Sequence, residues 1–393
     1  MNVNKITILC FLVAFIGVSL VGCSKEEKAT GPTRPAKSSK KAPVSLPKPD
    51  IKPEKETAGL KVKDPLQSTV DWLTQAGIKR GSQPYTTSTI MKTISLNLGN
   101  KEKITDSSLI NLASLPQLER LDLGGGQSKN KLTNACLVHL KPLVKLKSLR
   151  LTVNKKFGDE GMQHVAGLVS LDDLNLDGTT VTNAGIAELT GLTNLKRLDL
   201  GSLKGFTGEG LVHLKDLAKL EKLVLQGSGI DDSGLANLKH VPNLKELSLG
   251  WLNIDQGLEH LAVLKNLTSL DLFNAKVSDK GAKHLSKLES LTKLFLWGTQ
   301  ISDKGLASIS GLKKITTLYI SNTKITDKGM ASIAKLPALD YLWINDLPIS
   351  DVGLAKLGGL KKLRTIQARN TKITEAGVKK LQKKLPSIRV IIK

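Results

Sequence analysis

The chain has 393 residues, of which 40% are hydrophobic and 3% are aromatic, and its formal net charge at pH 7 is +23. This length exceeds that of an ordinary single-core domain but suits a repeat array, in which each unit packs only on its neighbours. The charge alone would favour nucleic-acid binding, but the N-terminal export pattern argues against that function. The remaining interpretation of the charge is attraction to acidic polymers or to an acidic partner.

The N-terminus has the pattern of a secretory signal, because Lys5 precedes an apolar run that is too short to cross a bilayer comfortably. The run ends in Leu20-Val21-Gly22-Cys23, which resembles the lipobox of bacterial lipoproteins. The resemblance implies cleavage of residues 1–22 and a membrane anchor through lipid on Cys23. Ser24 is similar to the residue that directs many such proteins to the outer membrane. The alternatives are an ordinary signal peptide with an incidental cysteine, or an uncleaved anchor.

Residues 23–64 are predicted to form a disordered, extended tether, because they combine prolines and lysines with almost no large apolar side chains. The lysines of the tether are interpreted as solvated, with contact to anionic lipid as the alternative. Cys10 would leave with the signal and Cys23 would carry the lipid, so the mature chain would keep Cys136 alone and have no disulfide.

Residues 65–90 are predicted to cap the first repeat. Asp64 and Pro65 suit the start of a helix, Leu66, Val70 and Leu73 would lie on one apolar face, and Gly77 would end it. A cap of this kind covers the core edge that a terminal repeat exposes.

Residues 91–393 contain a repeated Leu-x-x-Leu-x-Leu pattern, whose spacing from Leu146 onward is 23 to 25 residues. Such a period indicates a solenoid. We count twelve units and a closing half-unit from Ile388 to Ile392. The units begin at Met91, Leu118, Leu146, Leu171, Leu195, Leu220, Leu244, Leu267, Leu291, Ile315, Leu339 and Leu363.

The pattern resembles the leucine-rich repeat family, in its helix-bearing, cysteine-containing-like type. The resemblance implies an α/β solenoid of horseshoe shape, with a parallel concave sheet and outer helices. It also implies a protein partner bound on the concave face. Residues such as Thr299, Thr323 and Ser228 stand where the family usually has Asn or Cys, and we expect their hydroxyl groups to bond to the turning backbone.

Each unit can also be interpreted without the family. Leu-x-Leu alternates like a half-buried strand, and a following Ser/Thr-Asp-x-Gly opens a helix, with Ser302 or Thr326 as cap and Asp303 or Asp327 in its first turn. Glycine disfavours helices, so its recurrence at this place predicts a close approach of neighbouring backbones.

Neither a metal site nor catalysis is predicted. The six histidines, one per unit, would lie about 8–10 Å apart on outer helices, too far apart to share an ion. Cys136 occupies the place of the recurrent glycine and is interpreted as a small buried residue, with a redox thiol as the alternative. The chain contains no phosphate loop, zinc-protease motif or nucleophile elbow, so we expect no enzyme activity and no cofactor.

Aromatic residues gather at the solvent-facing strand positions of the seventh to twelfth units, whereas the first six units have none there. Aromatics favour strands in general, but an exposed aromatic patch is typical of a binding site. The predicted partner-binding residues are Trp251, Asp271, Phe273, Phe295, Trp297, Tyr319, Tyr341 and Trp343.

The same face of the earlier units is polar and mixed in charge, and is predicted to be a secondary zone that steers the partner. Its residues are Asp122, Arg150, Asp173, Asp177, Arg197 and Asp199. The predicted function is non-catalytic binding of a macromolecule, most simply a protein, by an envelope-anchored chain. Binding of cell-wall or extracellular polysaccharide, in which sugar rings stack on the aromatic side chains, is the alternative.

Overall fold

The computed structural model describes residues 64–125 and 131–393. The predicted signal peptide (1–22), the lipid-bearing Cys23 and the tether as far as residue 63 lie outside these described residues. Within them, every helix is too short or too polar to cross a bilayer.

A single sheet of thirteen parallel strands, each three residues long, runs through the repeats in chain order, β1 to β13. One strand lies in each of the twelve predicted units, and the thirteenth lies in the closing half-unit. The strands are Ser95–Asn97, Arg120–Asp122, Ser148–Arg150, Asp173–Asn175, Arg197–Asp199, Lys222–Val224, Glu246–Ser248, Ser269–Asp271, Lys293–Phe295, Thr317–Tyr319, Tyr341–Trp343, Thr365–Gln367 and Arg389–Ile391.

The central residue of each strand points into an aliphatic core, while its two neighbours face solvent. Leu294 and Leu318, for example, are fully buried between the sheet and the outer helices. Because every unit presents the same leucines in the same register, one continuous core forms along the array. Within the repeats, its aromatic residues are Phe157 and Phe206, which are fully buried as their repeat positions predict, while Trp72 and Tyr85 join the core from the cap.

The outer elements are short, and many units have a 3-10 helix where an amphipathic α-helix was predicted. The α-helices, α1 to α9, are Pro65–Gln75, Thr87–Ile90, Asp159–Val165, Asn183–Ala187, Asp279–His284, Asp303–Ile309, Met330–Ile333, Asp351–Ala355 and Glu375–Lys384. The 3-10 helices are Ser107–Ser114, Asn134–Leu140, Glu188–Gly191, Gly208–Leu214, Gly234–His240, Gln256–Val263, Leu285–Lys287 and Lys356–Gly359. A connection of about one turn leaves too little length for a sustained α-helix.

Helix α1 begins and ends as predicted. The carboxylate of Asp64 accepts from the backbone N–H of Leu66 at 3.0 Å, Pro65 is the first helical residue, and Gly77 follows the helix with a φ of 68°. Leu73 is fully buried and Trp72 is 9% exposed. The cap therefore covers the apolar end of the first repeat.

In seven of the described units an aspartate at the start of the outer element ties two repeats together, which goes beyond the predicted interaction with the helix dipole. Its carboxylate accepts the backbone N–H of the Ser or Thr that begins the next outer element, at 2.7–2.9 Å, and also the hydroxyl of that residue. We call these contacts the aspartate ladder. Its pairs are Asp106–Thr133, Asp159–Thr182, Asp255–Ser278, Asp279–Ser302, Asp303–Thr326, Asp327–Ser350 and Asp351–Thr374.

The aspartate ladder also explains why glycine recurs near the start of the outer elements. The sequence predicted that neighbouring backbones approach closely there, and in most units that cause was wrong. A Cβ placed on Gly305 would lie 2.5 Å from Oδ1 of Asp279, so a carboxylate side chain of the preceding repeat, and not its backbone, fills the space. Backbone atoms do approach closely at Gly234, which meets Gly208, and at Gly257, which meets Asp232, while Gly281 meets both the carboxylate and the backbone carbonyl of Asp255. Glycine therefore keeps room for the ladder at the entrance to the next outer element.

The predicted hydroxyl bonds form at the threonine positions but not at the serine. Thr299 donates to the carbonyl of Leu296 at 2.7 Å, and Thr323 donates to that of Ile320 at 2.8 Å. The Ser228 hydroxyl is buried without a hydrogen-bond partner, contrary to the expectation. Thr326 accepts the backbone N–H of Lys328 at 3.3 Å, as Ser302 does that of Lys304, although the α-helix in its unit begins later, at Met330.

Candidate functional site

The predicted partner-binding residues lie on the solvent-facing side of strands β7 to β11 and the turns that follow them. We call this set the aromatic patch: Trp251, Phe273, Phe295, Trp297, Tyr319, Tyr341 and Trp343. The parallel register places Phe295, Tyr319 and Trp343 side by side on consecutive strands. Residues about 24 apart in sequence thus form one continuous surface.

The first row of rings follows the ends of strands β7 to β9. Trp251 contacts Phe273 edge to face with 5.4 Å between ring centroids, and Phe273 contacts Trp297 at 4.1 Å. Trp251 adopts a left-handed backbone conformation with a φ of 62° and is 56% exposed. A large apolar ring in a strained and exposed position contributes little to folding, so its placement suits a surface that meets another molecule.

The second row runs across the strands themselves. Phe295 contacts Tyr319 edge to face at 4.8 Å, and Tyr319 stacks on Trp343 with 4.2 Å between centroids and 9° between ring planes. Partial burial raises the pKa of the Tyr319 hydroxyl, as does the neighbouring Tyr341. The ring contacts fix the side chains before any partner arrives, which lowers the entropy cost of binding.

Tyr341 forms the rim of the patch and is 39% exposed. The guanidinium of Arg364 lies 5.7 Å from the centre of its ring, and the Nε of Arg364 donates to Asp340 at 2.7 Å. The rim thus carries a cation that is already oriented by a carboxylate.

Asp271 is part of the predicted site, but the structure gives it a supporting position. Its carboxylate accepts the backbone N–H of Phe273 at 2.9 Å and the hydroxyl of Ser248 at 3.1 Å. Burial raises the pKa of this carboxyl although both hydrogen bonds oppose the rise. Asp271 therefore orients the turn that carries Phe273.

The polar residues of the earlier repeats lie on this same face, but several of them form hydrogen bonds that stabilise the fold. Asp122 and Asp199 accept the backbone N–H groups of Gly124 and Gly201, each at 2.9 Å, and so turn the chain at the strand ends. Other contacts link adjacent strands: Arg197 bonds Asp173 at 3.3 Å, and Asn175 bonds Asp199 at 3.1 Å. Arg150 is exposed on β3, next to Asn175 on β4.

The carboxylates of Asp177 and Asp199 both lie beside Gly201. An Oδ1 atom of Asp177 is buried without a hydrogen-bond partner. Burial, with the nearby charge of Asp177, raises the pKa of Asp199 to about 6, although the Gly201 N–H, Lys222 and Arg150 favour its ionised form. The sequence predicted that the charge of Asp199 helps to steer a partner. Because burial disfavours the ionised carboxyl, we expect ionisation of Asp199 at neutral pH to lower the free energy of unfolding.

We expect this carboxyl to make stability depend on pH. Because the folded state binds the proton more tightly than the unfolded state, the free energy of unfolding should fall as pH rises from about 4 to about 6, by about 2 kcal/mol. Asp199→Asn should flatten that part of the curve in denaturant titrations. An unchanged slope in the variant would contradict the assignment to Asp199.

Redox and metal chemistry find no support at the candidate residues. Cys136 is fully buried, and burial together with Asp106 raises the pKa of its thiol, which is opposite to the shift that an active thiol needs. Within residues 64–125 and 131–393, histidine, cysteine, aspartate and glutamate form no group of three or more suited to a metal ion.

A single parallel sheet exposed on one face, a helix or helical turn after each strand and a core of repeated leucines define the class of leucine-rich repeat solenoids. Residues 95–374 match the model of the family described as "Leucine-rich repeat region", so the chain belongs to that family. No match was found among curated proteins.

The fold is similar to solved structures of two bacterial proteins. An internalin, InlF, of Listeria monocytogenes is 22% identical, with a TM-score of 0.56 over 83% of this chain and 94% of that one. A leucine-rich repeat protein of Leptospira interrogans is 18% identical, with a TM-score of 0.47 over 83% of this chain and 97% of that one. At these identities the likeness concerns the fold alone.

Proposed function

We propose that the chain is a non-catalytic binding protein whose aromatic patch holds a protein partner. The observation that carries this proposal is the pair of ring rows, six exposed or half-buried aromatic side chains that lie with Tyr341 at their rim on one face of strands β7 to β11. Tryptophan and tyrosine contribute disproportionately to protein interfaces, and a contiguous exposed apolar patch usually marks an interaction site.

The ring geometry favours a protein over a polysaccharide. A sugar ring stacks on a free aromatic face, but in each of the four ring contacts at least one face is already occupied by a neighbouring ring. With those faces covered, the rows suit contact with the apolar side chains of a protein better than the stacking of sugar rings. Export and anchoring through Cys23 remain part of the proposal and would place the patch in the cell envelope, at the outer membrane.

The experiment is capture from cell-envelope extract with the full chain and with a Trp297→Ala, Trp343→Ala variant. We expect each substitution to weaken binding by at least about 1 kcal/mol, so the double variant should lose the partner. Treating the extract with a protease should remove the captured ligand if it is a protein, whereas a polysaccharide would survive.

The matched control is Val144→Ala, Val169→Ala, which removes two exposed apolar side chains (69% and 58% exposed) from the connections that enter strands β3 and β4. The control should capture as well as the wild type, and all three chains should unfold at similar temperatures. Equal capture by the tryptophan variant would refute a role for the aromatic patch.

A further inference from the structure

The connections that enter strands β10 to β13 carry a second surface, which differs from the aromatic patch in chemistry and position. Its exposed lysines, here called the lysine edge, are Lys313, Lys314, Lys335, Lys361, Lys362, Lys383 and Lys384. Four of them, Lys313, Lys335, Lys361 and Lys362, line a groove of about 370 Å³. The other lining residues include Ala334, Pro337 and Leu360, so apolar atoms lie between the charges.

Lysines at the same place in earlier repeats are satisfied by the preceding turn. Lys145 donates to Gln117 and Lys219 donates to Asn194, each at 2.7 Å. One position before the strand, Lys147 and Lys245 form ion pairs with glutamates of the neighbouring turn, at 2.9 and 2.8 Å. At these two repeat positions, these four lysines of the earlier repeats are therefore paired.

The last turns lack those partners. Lys314 and Lys362 occupy the repeat position of Lys145 and Lys219, and Ala338, one turn before Lys362, has no side-chain acceptor. Among the described residues, neither lysine has a hydrogen bond or ion pair with another residue.

Carboxylates are nearly absent from this region of the chain. The segments 309–319, 333–343, 357–367 and 381–391 contain one acidic residue, Asp340, which Arg364 already engages. Lys313 donates to the carbonyl groups of Ser310 and Lys335, each at 3.0 Å, and so has a role in the fold. The remaining lysines carry concentrated positive charge that nothing in the described chain neutralises, which attracts an anion from outside.

Attraction to helix C-terminal dipoles explains this pattern only in part. Lys335, Lys383 and Lys384 stand at the ends of outer helices, where cations are favourable. Lys314, Lys361 and Lys362 lie beyond those ends, in the connections to the strands. Their unpaired charge beside an apolar groove therefore needs a different explanation.

We propose that the lysine edge is a second interaction surface, which binds an acidic protein segment with an apolar side chain seated between the lysines. Charge complementarity determines the acidic character of the occupant, and the apolar groove floor favours a peptide over a phosphate polymer or lipid headgroups, which would leave that floor unused. This inference does not rest on the aromatic patch binding any partner.

The test uses the full chain and a short fluorescein-labelled peptide of aspartate and glutamate with one central leucine, followed by fluorescence anisotropy at low and at physiological salt. Lys335→Glu, Lys361→Glu, Lys362→Glu should weaken binding at least about tenfold. Replacing the leucine by glutamate should weaken binding of the peptide to the wild type about threefold or more, since a buried leucine contributes apolar contact.

A matched control changes the same number of charges elsewhere on the edge. Lys215→Glu, Lys239→Glu, Lys265→Glu lies on earlier turns, where a similar groove of about 250 Å³ is lined by Lys215 and the neutral Asn243. The control should alter affinity less than about threefold, because distant charges are screened by salt.

Equal weakening by both triple variants, or no binding of the leucine-bearing peptide, would overturn the proposal. It would also be overturned if vesicles of anionic phospholipid or inorganic polyphosphate bound and the peptide did not, since the surface would then recognise phosphate. None of these outcomes depends on Trp297 or Trp343, so the aromatic-patch proposal can fail separately.

Discussion

Replacing Asp279 with alanine should lower the free energy of unfolding by about 3 kcal/mol, which is a large effect for a single partly buried carboxylate. Oδ1 of Asp279 accepts the backbone N–H groups of Ser302 and Gly305, at 2.7 and 2.9 Å, and Oδ2 accepts the Ser302 hydroxyl at 2.6 Å. The substitution would leave three donors without a partner at the start of helix α6. Denaturant unfolding of the wild type and variant measures the difference.

Asp279→Asn provides the matched control, because the chain itself uses asparagine at this place. Asn183 accepts the backbone N–H of Thr207 at 3.0 Å and donates to its hydroxyl at 2.8 Å. We therefore expect Asp279→Asn to cost less than about 1 kcal/mol at neutral pH. A variant with alanine as stable as the one with asparagine would show that the ladder contributes nothing.

Gly305→Ala is the second substitution with a large expected effect, at about 3 kcal/mol, the upper end of measured overpacking costs. Its Cβ would meet Oδ1 of Asp279, and that carboxylate cannot withdraw without breaking its bonds to Ser302. A methyl group placed on the neighbouring Gly311 would meet no atom within 4 Å, and the Gly311 backbone is not left-handed. Gly311→Ala should therefore be neutral or slightly stabilising.

A double-mutant cycle decides whether the ladder is the cause. In the Asp279→Ala background the carboxylate is absent, and the nearest atoms to the new methyl group are Cβ of Ala282 and Cα of residue 279, both at 3.3 Å. Gly305→Ala should therefore cost less there, about 1 kcal/mol or below. An undiminished cost in that background would assign the glycine to backbone packing, as the sequence suggested.

The fold follows from the sequence because one pattern specifies it many times. Leucines at fixed positions of each unit define strand, turn and core, and the same assignment succeeds at Leu146 and at Leu363, where most of the other residues differ. Residues that act within one unit, such as Asp64 at the start of α1 or Phe206 in the core, were therefore predictable.

Contacts between units were harder to predict, since a single repeat shows which residues recur but not which atoms they meet. The aspartate after the cap residue recurs at Asp279, Asp303 and Asp351, and that recurrence was a usable signal for the ladder. We interpreted it as an interaction with the dipole of its own helix, which is the local explanation. The bond to the next repeat depends on the rise between units, which the sequence does not contain.

In the candidate site, too, the position of each side chain was predictable from the sequence, whereas the contacts between side chains were not. Alternation along each strand was enough to place Phe295, Tyr319 and Trp343 on one face, and the structure brings them into one row. The stacking of Tyr319 on Trp343 and the hydrogen bond from the Phe273 N–H to Asp271 depend on side-chain rotamers. The alternation pattern does not predict rotamers. The lysine edge was missed because its distinguishing property is the absence of acidic partners in the neighbouring turns.

The most direct test of the central claim is hydroxyl-radical footprinting of the chain, alone and in cell-envelope extract, with oxidation of each residue measured by mass spectrometry. Binding at the aromatic patch predicts that oxidation of Trp297, Tyr341 and Trp343 falls severalfold in the extract. Met91, which is 42% exposed and lies before the first strand, should be oxidised equally in both. Unchanged oxidation of the aromatic residues, with protection elsewhere on the array, would contradict the claim.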